Sequence, residues 1–457
     1  MNTVATNISS SSITSQNKLH WNFFDISIYL HFFIPSFILF KEPFEFYITY
    51  TFIILYLPFL AMKYPIPRGV WWILIILLLT GLLNVWLDNN TYKNFFKIYI
   101  NIAINLIFYG LMMAYYNYNV EEMFRRYLKG VVIVCIYGII ELVAYKLGVF
   151  SLVDLRNLGF NKWGIIPGGF GIRVNSTYPE PFYFANAISP AAFVAIYNLF
   201  IGNIYWLKKW ESILIISVFL LTFSGAAYAS IFFMLFVLLL NYGLIRYFII
   251  AIPVGIMLAI YFYNNVEDFR DRIDGIKTLF IDEYLLEEKN KDVENKYAFE
   301  ARKWRVISKV HGSSLVLYNN YYIATQNFKS NFLFGTGLGS HEVAFSKYNL
   351  NFLFAGSAYD VLNTKDANSM GIRIISELGL MGIIFTFFFI IKFFVVRKND
   401  DNNNSNWLIS GAILSIFFIQ LTRQGNYTYA GFMFFPWLYY YNSILDKNNN
   451  TQFMQNN

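Results

Sequence analysis

Apolar runs long enough to cross a bilayer alternate along this chain with short polar connections. A spanning helix needs about 20 mostly apolar residues. Runs of that kind fall near 22–40, 44–62, 69–87, 95–115, 130–149, 181–202, 210–224, 226–243, 244–263, 371–394, 406–422 and 428–445. They predict an all-α polytopic membrane protein with about twelve transmembrane helices. The pair at 210–243 is divided only by the short FSGAAY (223–228).

Two polar stretches interrupt the series, at 150–180 and at 264–370. The longer opens on NVEDFRDRIDGIKTLFIDEYLLEEKNKDVENKYAFEARKWRVISKV, which mixes charge with Phe, Leu, Ile and Trp at amphipathic-helix spacings. A loop of that length without structure is uncommon, so short helices over the mouth of the bundle are expected. The organisation reads as a tail (1–20), spans one to nine with the 150–180 loop (21–263), the large loop (264–370), spans ten to twelve (371–446) and a second tail (447–457). There is no internal repeat, and NDDNNNSN and NNNTQFMQNN read as solvated connectors.

Composition fits that picture. The 457 residues are 57% hydrophobic and 14% charged, against roughly 45–50% and about 25% in average soluble domains. The 49 Phe and 35 Tyr suit lipid-facing surfaces and interfacial belts. Residues 1–20 lack the basic start and apolar core of a cleaved signal peptide and read as a cytoplasmic tail. The single cysteine, Cys135, lies in an apolar run, which excludes an intramolecular disulfide or a cysteine-based metal cluster. A net charge of +7 would point to nucleic acid in a soluble protein, but here the basic residues read as topology signals and no nucleic-acid partner is expected.

Those residues also orient the chain. With the N-terminus inside, the inner connections hold Lys63, Arg68, Arg125, Arg126, Lys129, Lys208, Lys209, Arg246, Lys392, Arg397, Lys398 and Lys447. The short outer loops hold little beyond Lys41, Lys93 and Lys97. This is the positive-inside pattern, and it puts both long loops on the outer face.

Four outer stretches carry polar groups that are costly near a membrane and therefore invite a functional hypothesis. In RVNSTYPEPFYFANAISP, Arg173 precedes Glu180 by a six-residue gap, and Pro179 and Pro181 flank the glutamate. Pro181 suits a first helical turn, so Glu180 sits at a helix N-terminus, where the dipole favours it. It reads either as a helix-start carboxylate paired with Arg173, or as a base beside an anion-binding arginine. In AFEARKWR, Arg302, Lys303 and Arg305 fall on adjacent turns of a possible helix, suited to phosphate or simply a solvated face. In NFLFGTGLGSHEVAF, Gly335, Gly337 and Gly339 precede His341 and Glu342. No strand–turn–helix unit supports a nucleotide fingerprint there. A tight turn aiming backbone N–H groups at an anion remains, and His341 reads as structural or as a base. In DANSMGIRIISELGLMG, Arg373 and Glu377 share one helix face and can simply pair. In LTRQGNYTY, Arg423 lies at the outer end of a span, where snorkelling would also explain it.

There is no HExxH, no Cys pair and no DxD-type metal site, so neither metal nor cofactor is expected. Anionic charge would be managed by arginines.

Taken in order, these features resemble the O-antigen polymerases (Wzy type), in the superfamily that also contains the O-antigen ligases. The likeness rests on about twelve spans, R-x₆-EP entering a helix, a large outer loop ending in FGTGLGS before DANSMGIRIISELGLMG, and the late LTRQGNYTYAGFMFFPWLY. It covers about residues 130 to 445. The resemblance implies a multi-pass enzyme of the bacterial inner membrane, active on the periplasmic side. It would move a growing glycan from its undecaprenyl-pyrophosphate carrier onto the non-reducing end of a new lipid-linked repeat, beside a chain-length regulator and a flippase as partners. It implies pyrophosphate handling by Arg173, by Arg302 or Arg305, and by Arg423. Ligases tend to carry a histidine just before the span with the E-x-G-x-x-G element, where this chain has Asn368.

Arg173, Glu180 and His341 are thus the candidate catalytic groups. Arg302, Arg305, Arg423, Arg373, Gly337, Gly339 and Asn368 are the candidate pyrophosphate- or glycan-binding ones. The competing readings are a ligase that uses lipid A core as acceptor, and a flippase for lipid-linked oligosaccharide.

Overall fold

The computed structural model describes residues 21–40, 46–202, 204–243, scattered positions between 253 and 274, 312–348, 363–397 and 405–455. The expected tail 1–20, Arg302, Arg305 and most of the expected span 244–263 lie outside the described residues. What is described is mostly helical: α1 (Phe23–Phe33), α2 (Ile48–Lys63), α3 (Arg68–Trp86), α4 (Tyr92–Tyr115), α5 (Val120–Lys146), α6 (Pro181–Ile201), α7 (Lys209–Leu221), α8 (Gly225–Asn241), α9 (Gly312–Ser330), α10 (His341–Tyr348), α11 (Met370–Lys392), α12 (Ser405–Arg423) and α13 (Phe434–Gln455). Among the described residues sheet is confined to two small antiparallel ribbons, β1 (Ile38–Phe40) with β2 (Phe46–Tyr47), and β3 (Pro167–Gly168) with β4 (Gly171–Ile172).

Six of these helices, α3, α4, α5, α6, α11 and α12, are long and apolar enough to cross a membrane, and α2 and α8 are shorter apolar helices. The run expected at 22–40 behaves differently. Its helix stops at Phe33 after 11 residues, about 16 Å at 1.5 Å per residue, about half of a hydrocarbon core. Pro35 explains the stop, because the residue before a proline is pushed out of the helical region. The chain then turns into β1.

One continuous apolar core threads α1 to α8 and α11 to α13. Helix α6 lies at its centre and packs most extensively on α7 and α12. Pro190 sits inside α6 and cannot donate to the carbonyl four residues back. The Ser189 hydroxyl donates to that Asn186 oxygen instead, at 2.9 Å, which matters in a medium without water. Asn186 also ties α6 to α12, its amide donating to Gln420 Oε1 at 3.1 Å.

Helix α11 is broken. Gly379 has φ 60° and ψ −154°, a conformation essentially reserved for glycine. The segment after α9 repairs the break: the Leu380 and Met381 amides donate to the Phe332 and Leu333 carbonyls (2.9 and 3.0 Å), and the Gly337 amide donates to the Glu377 carbonyl at 2.8 Å. The two backbones touch, since a Cβ on Gly379 would meet the Gly335 nitrogen at 2.5 Å.

Candidate functional site

The site is built from the loop that enters α6. Thr177 and Tyr178 donate their hydroxyls to the Phe33 and Phe32 carbonyls, supplying partners for carbonyls that the end of α1 leaves without intrahelical donors. Ser176 donates to the Val134 carbonyl of α5 at 3.0 Å. Below them, Lys162 and Glu141 form an ion pair at 2.9 Å with both side chains about 1% exposed. NSTY is therefore an anchor, and the residues on either side, Arg173 and Glu180, are what it presents.

Glu180 is the N-cap of α6 and Pro181 occupies the first helical position, yet the glutamate side chain makes no capping hydrogen bond. Among the described residues its carboxylate accepts no hydrogen bond and makes no ion pair at contact distance. Burial pushes its pKa above the usual carboxylate range, Arg423 and then Arg173 pull it back, and Asp366 adds to the rise. Arg173 donates from Nε to the Thr222 carbonyl at 3.1 Å, where α7 turns into α8. Arg423 ends α12. Two arginines and two carboxylates thus converge at the mouth of α6.

Asp366 reaches this place through a tight contact: a Cβ on Gly425 would lie 1.5 Å from the Asp366 carbonyl oxygen, so only glycine fits. The turn preceding α11 is left-handed at Ala367 and Asn368, and the Asp366 carboxylate holds it by accepting from the Asn368 amide at 3.1 Å. Asn368 therefore shapes the turn, and its backbone amide is already committed. Ser369 caps α11, accepting from Ile372 N and donating to the Leu421 carbonyl at 2.6 Å.

Arg373 and Glu377 pair inside α11 at 2.8 Å, with exposures of 2% and 0%. Arg373 Nη1 donates to the Gly425 carbonyl at 3.1 Å, Tyr427 donates to Glu377 Oε2 at 3.1 Å, and the guanidinium lies 4.4 Å from the Tyr427 ring centroid. Arg373 Nη2 is buried without a partner among the described residues, and so is the Tyr429 hydroxyl. Tyr429 packs against Tyr183, the third residue of α6, with centroids 4.6 Å apart.

The histidine and the glycines fall elsewhere. His341 is fully buried, with Nε2 at 2.9 Å from Asn320 Oδ1 and Nδ1 at 3.2 Å from Ser376 Oγ. The Asn320 amide already donates to the Val316 carbonyl, so Nε2 carries the proton and Nδ1 accepts from Ser376. Burial, with help from Arg373, pushes the imidazole pKa down to about 3. Both ring nitrogens are committed, leaving neither for a substrate proton. Gly337 gives its N–H to the break in α11, and a Cβ on Gly339 would meet the Asn94 carbonyl at 2.6 Å. The Gly337 amide is thus spent on the helix break, and Gly339 packs against the backbone of α4.

Sequence reasoning brought Arg173, Glu180 and Arg423 to one end of the bundle, and the structure brings them together there. It missed Asp366, Tyr427, Glu141 and Lys162. An acid within the apolar run GIIELVAY was a readable signal for Glu141. Among the described residues no group of three His, Cys, Asp or Glu side chains is gathered to hold a metal ion.

Fold and composition define an α-helical membrane protein with a charged mouth at one end of its bundle. The chain matches no protein-family model and none of the curated proteins compared with it.

Proposed function

We propose that this protein is a surface-polysaccharide polymerase of the O-antigen type, a glycosyltransferase with about twelve spans in a bacterial inner membrane whose charged mouth faces the periplasm. The observation that carries the reading is the convergence of Arg173, Arg423 and an unbonded, half-buried Glu180 at the entrance to α6. The donor, a glycan on undecaprenyl pyrophosphate, already bears a good leaving group. Arg173 and Arg423 stabilise the charge that develops on it, and Nη2 of Arg373, without a partner among the described residues, is a further donor for an oxygen entering from that side. The acceptor hydroxyl of a new lipid-linked repeat attacks the anomeric carbon, its proton passes to Glu180, and the bond to the pyrophosphate breaks with the electron pair leaving on the lipid carrier. A carboxylate whose pKa is raised by burial is a better base for that step than an ordinary glutamate. The proximity of the Tyr183–Tyr429 pair offers an apolar face to a sugar ring.

Arg173→Ala tests the reading in cells: polymer should vanish while single-repeat glycolipid persists. One lost charge-stabilising donor costs about 10²–10³ in rate in well-studied cases. Unchanged long chains in that variant would sink the assignment.

The broken helix α11 is the one observation that favours a transporter, since discontinuous helices often form midplane binding sites. Here the Phe332 and Leu333 carbonyls take up the Leu380 and Met381 amides, and the Gly337 amide takes up the Glu377 carbonyl at the break, so these groups are not left for a transported ion.

A further inference from the structure

We propose that Glu141 and Lys162 form a latch that sets the stance of the Arg173–Glu180 segment, making Glu141 a positioning residue although it lies on the helix behind the site. Its consequence for transfer rests on the polymerase reading; its geometry does not.

Every polar atom of the pair is used. Glu141 Oε1 accepts from Lys162 Nζ at 2.9 Å, and Oε2 accepts from the backbone amides of Asn175 and Ser176 at 3.1 and 2.7 Å. Lys162 spends its other two protons on the Val153 carbonyl at 3.0 Å and the Ser176 carbonyl at 2.7 Å. Ser176 is therefore gripped from both sides, its N–H by the carboxylate and its C=O by the ammonium. That residue has φ +52°, a left-handed conformation that a serine holds only when its surroundings over-determine it. It lies midway between Arg173 and Glu180, and Thr177 and Tyr178 then fasten the next two residues to α1. Downstream, Pro179 and Pro181 restrict the backbone on either side of Glu180. Releasing Ser176 moves both ends of the segment together.

The latch needs a carboxylate at 141, not merely two opposite charges. Glu141→Lys combined with Lys162→Glu restores the charge pair but places at 141 a group unable to accept from the two amides. In purified full-length protein, hydrogen exchange of the 173–180 peptide should then quicken about tenfold, the loss of roughly one such bond to a charged group, while α12 keeps its protection. Wild-type exchange in the reversed pair would overturn the latch. If that variant does not fold, Glu141→Met with Lys162→Met removes both the ion pair and the acceptor at 141 without stranding a charge. The same peptide should quicken there too, and unchanged exchange again overturns the proposal.

In vesicles supplied with lipid-linked repeats, the folded variant should transfer glycan about tenfold more slowly, with the acid limb of its pH profile shifted because Glu180 has moved. An unaltered rate and limb beside quickened exchange would overturn the positioning role. If Arg173→Ala itself transfers normally, the polymerase reading falls, and the exchange result still decides the latch.

Discussion

Glu180 and His341 stand near the two ends of one question, namely which group takes a proton. The carboxyl of Glu180 is unbonded among the described residues, with burial raising its pKa against the pull of Arg423 and Arg173. As a base it works only when ionised, so transfer should fall as pH drops through a value above the ordinary glutamate figure of about 4.3. Glu180→Gln should abolish that limb along with most of the rate; a rate and limb that survive the change would exclude the role. His341 enters through stability instead. Its folded pKa of about 3 lies below the unfolded value near 6.5, so between those values the unfolded chain binds the extra proton and stability falls as pH drops. His341→Gln should flatten that part of a melting-temperature profile in detergent; an unchanged slope would assign the loss to other groups. Both residues were visible in the sequence as candidates. Their difference was not, because it depends on Asn320 and Ser376, two polar residues that ordinary helix patterning leaves anonymous.

At the scale of elements, α11 shows how a glycine-rich motif can mislead. FGTGLGS reads as a turn offering amides to an anion, yet Gly337 offers its amide to the Glu377 carbonyl, and Gly335 lies against the break at Gly379. The positive φ of these glycines was legible in the motif, but the target of their amides was not, since it lies in a helix about forty residues further on. Gly379→Ala should destabilise the protein by at least the 1–3 kcal/mol of such strain, with the Gly335 clash added, and lower the melting temperature or the yield of folded protein. Gly69→Ala, where a Cβ meets nothing within 4 Å, is the control and should leave both unchanged. A harmless Gly379→Ala would show that the kink is not required. The helix runs at 69–87, 95–115 and 181–202 were legible because about 20 apolar residues admit few alternatives. The early stop of α1 was also written, in Pro35, within a run whose average apolarity concealed it.

For the whole molecule, the gathering of charge at one end follows from helix alternation: the ends of α5 and α7, the starts of α6 and α11 and the end of α12 meet there. The proposed function needs that end to face the periplasm, as the positive-inside pattern of the sequence leads one to expect. In a Cys135→Ala background, Asn157→Cys should react with an impermeant maleimide in spheroplasts, and Lys209→Cys only after lysis. The reverse labelling would invert the orientation and remove the site from its substrates. Function is tested most directly by supplying the purified, reconstituted protein with undecaprenyl-pyrophosphate-linked repeat units and no other acceptor. The expected result is a ladder of longer lipid-linked glycans that Arg173→Ala fails to make. Repeats that stay single, or that are transferred only when lipid A core is added, would contradict the polymerase assignment.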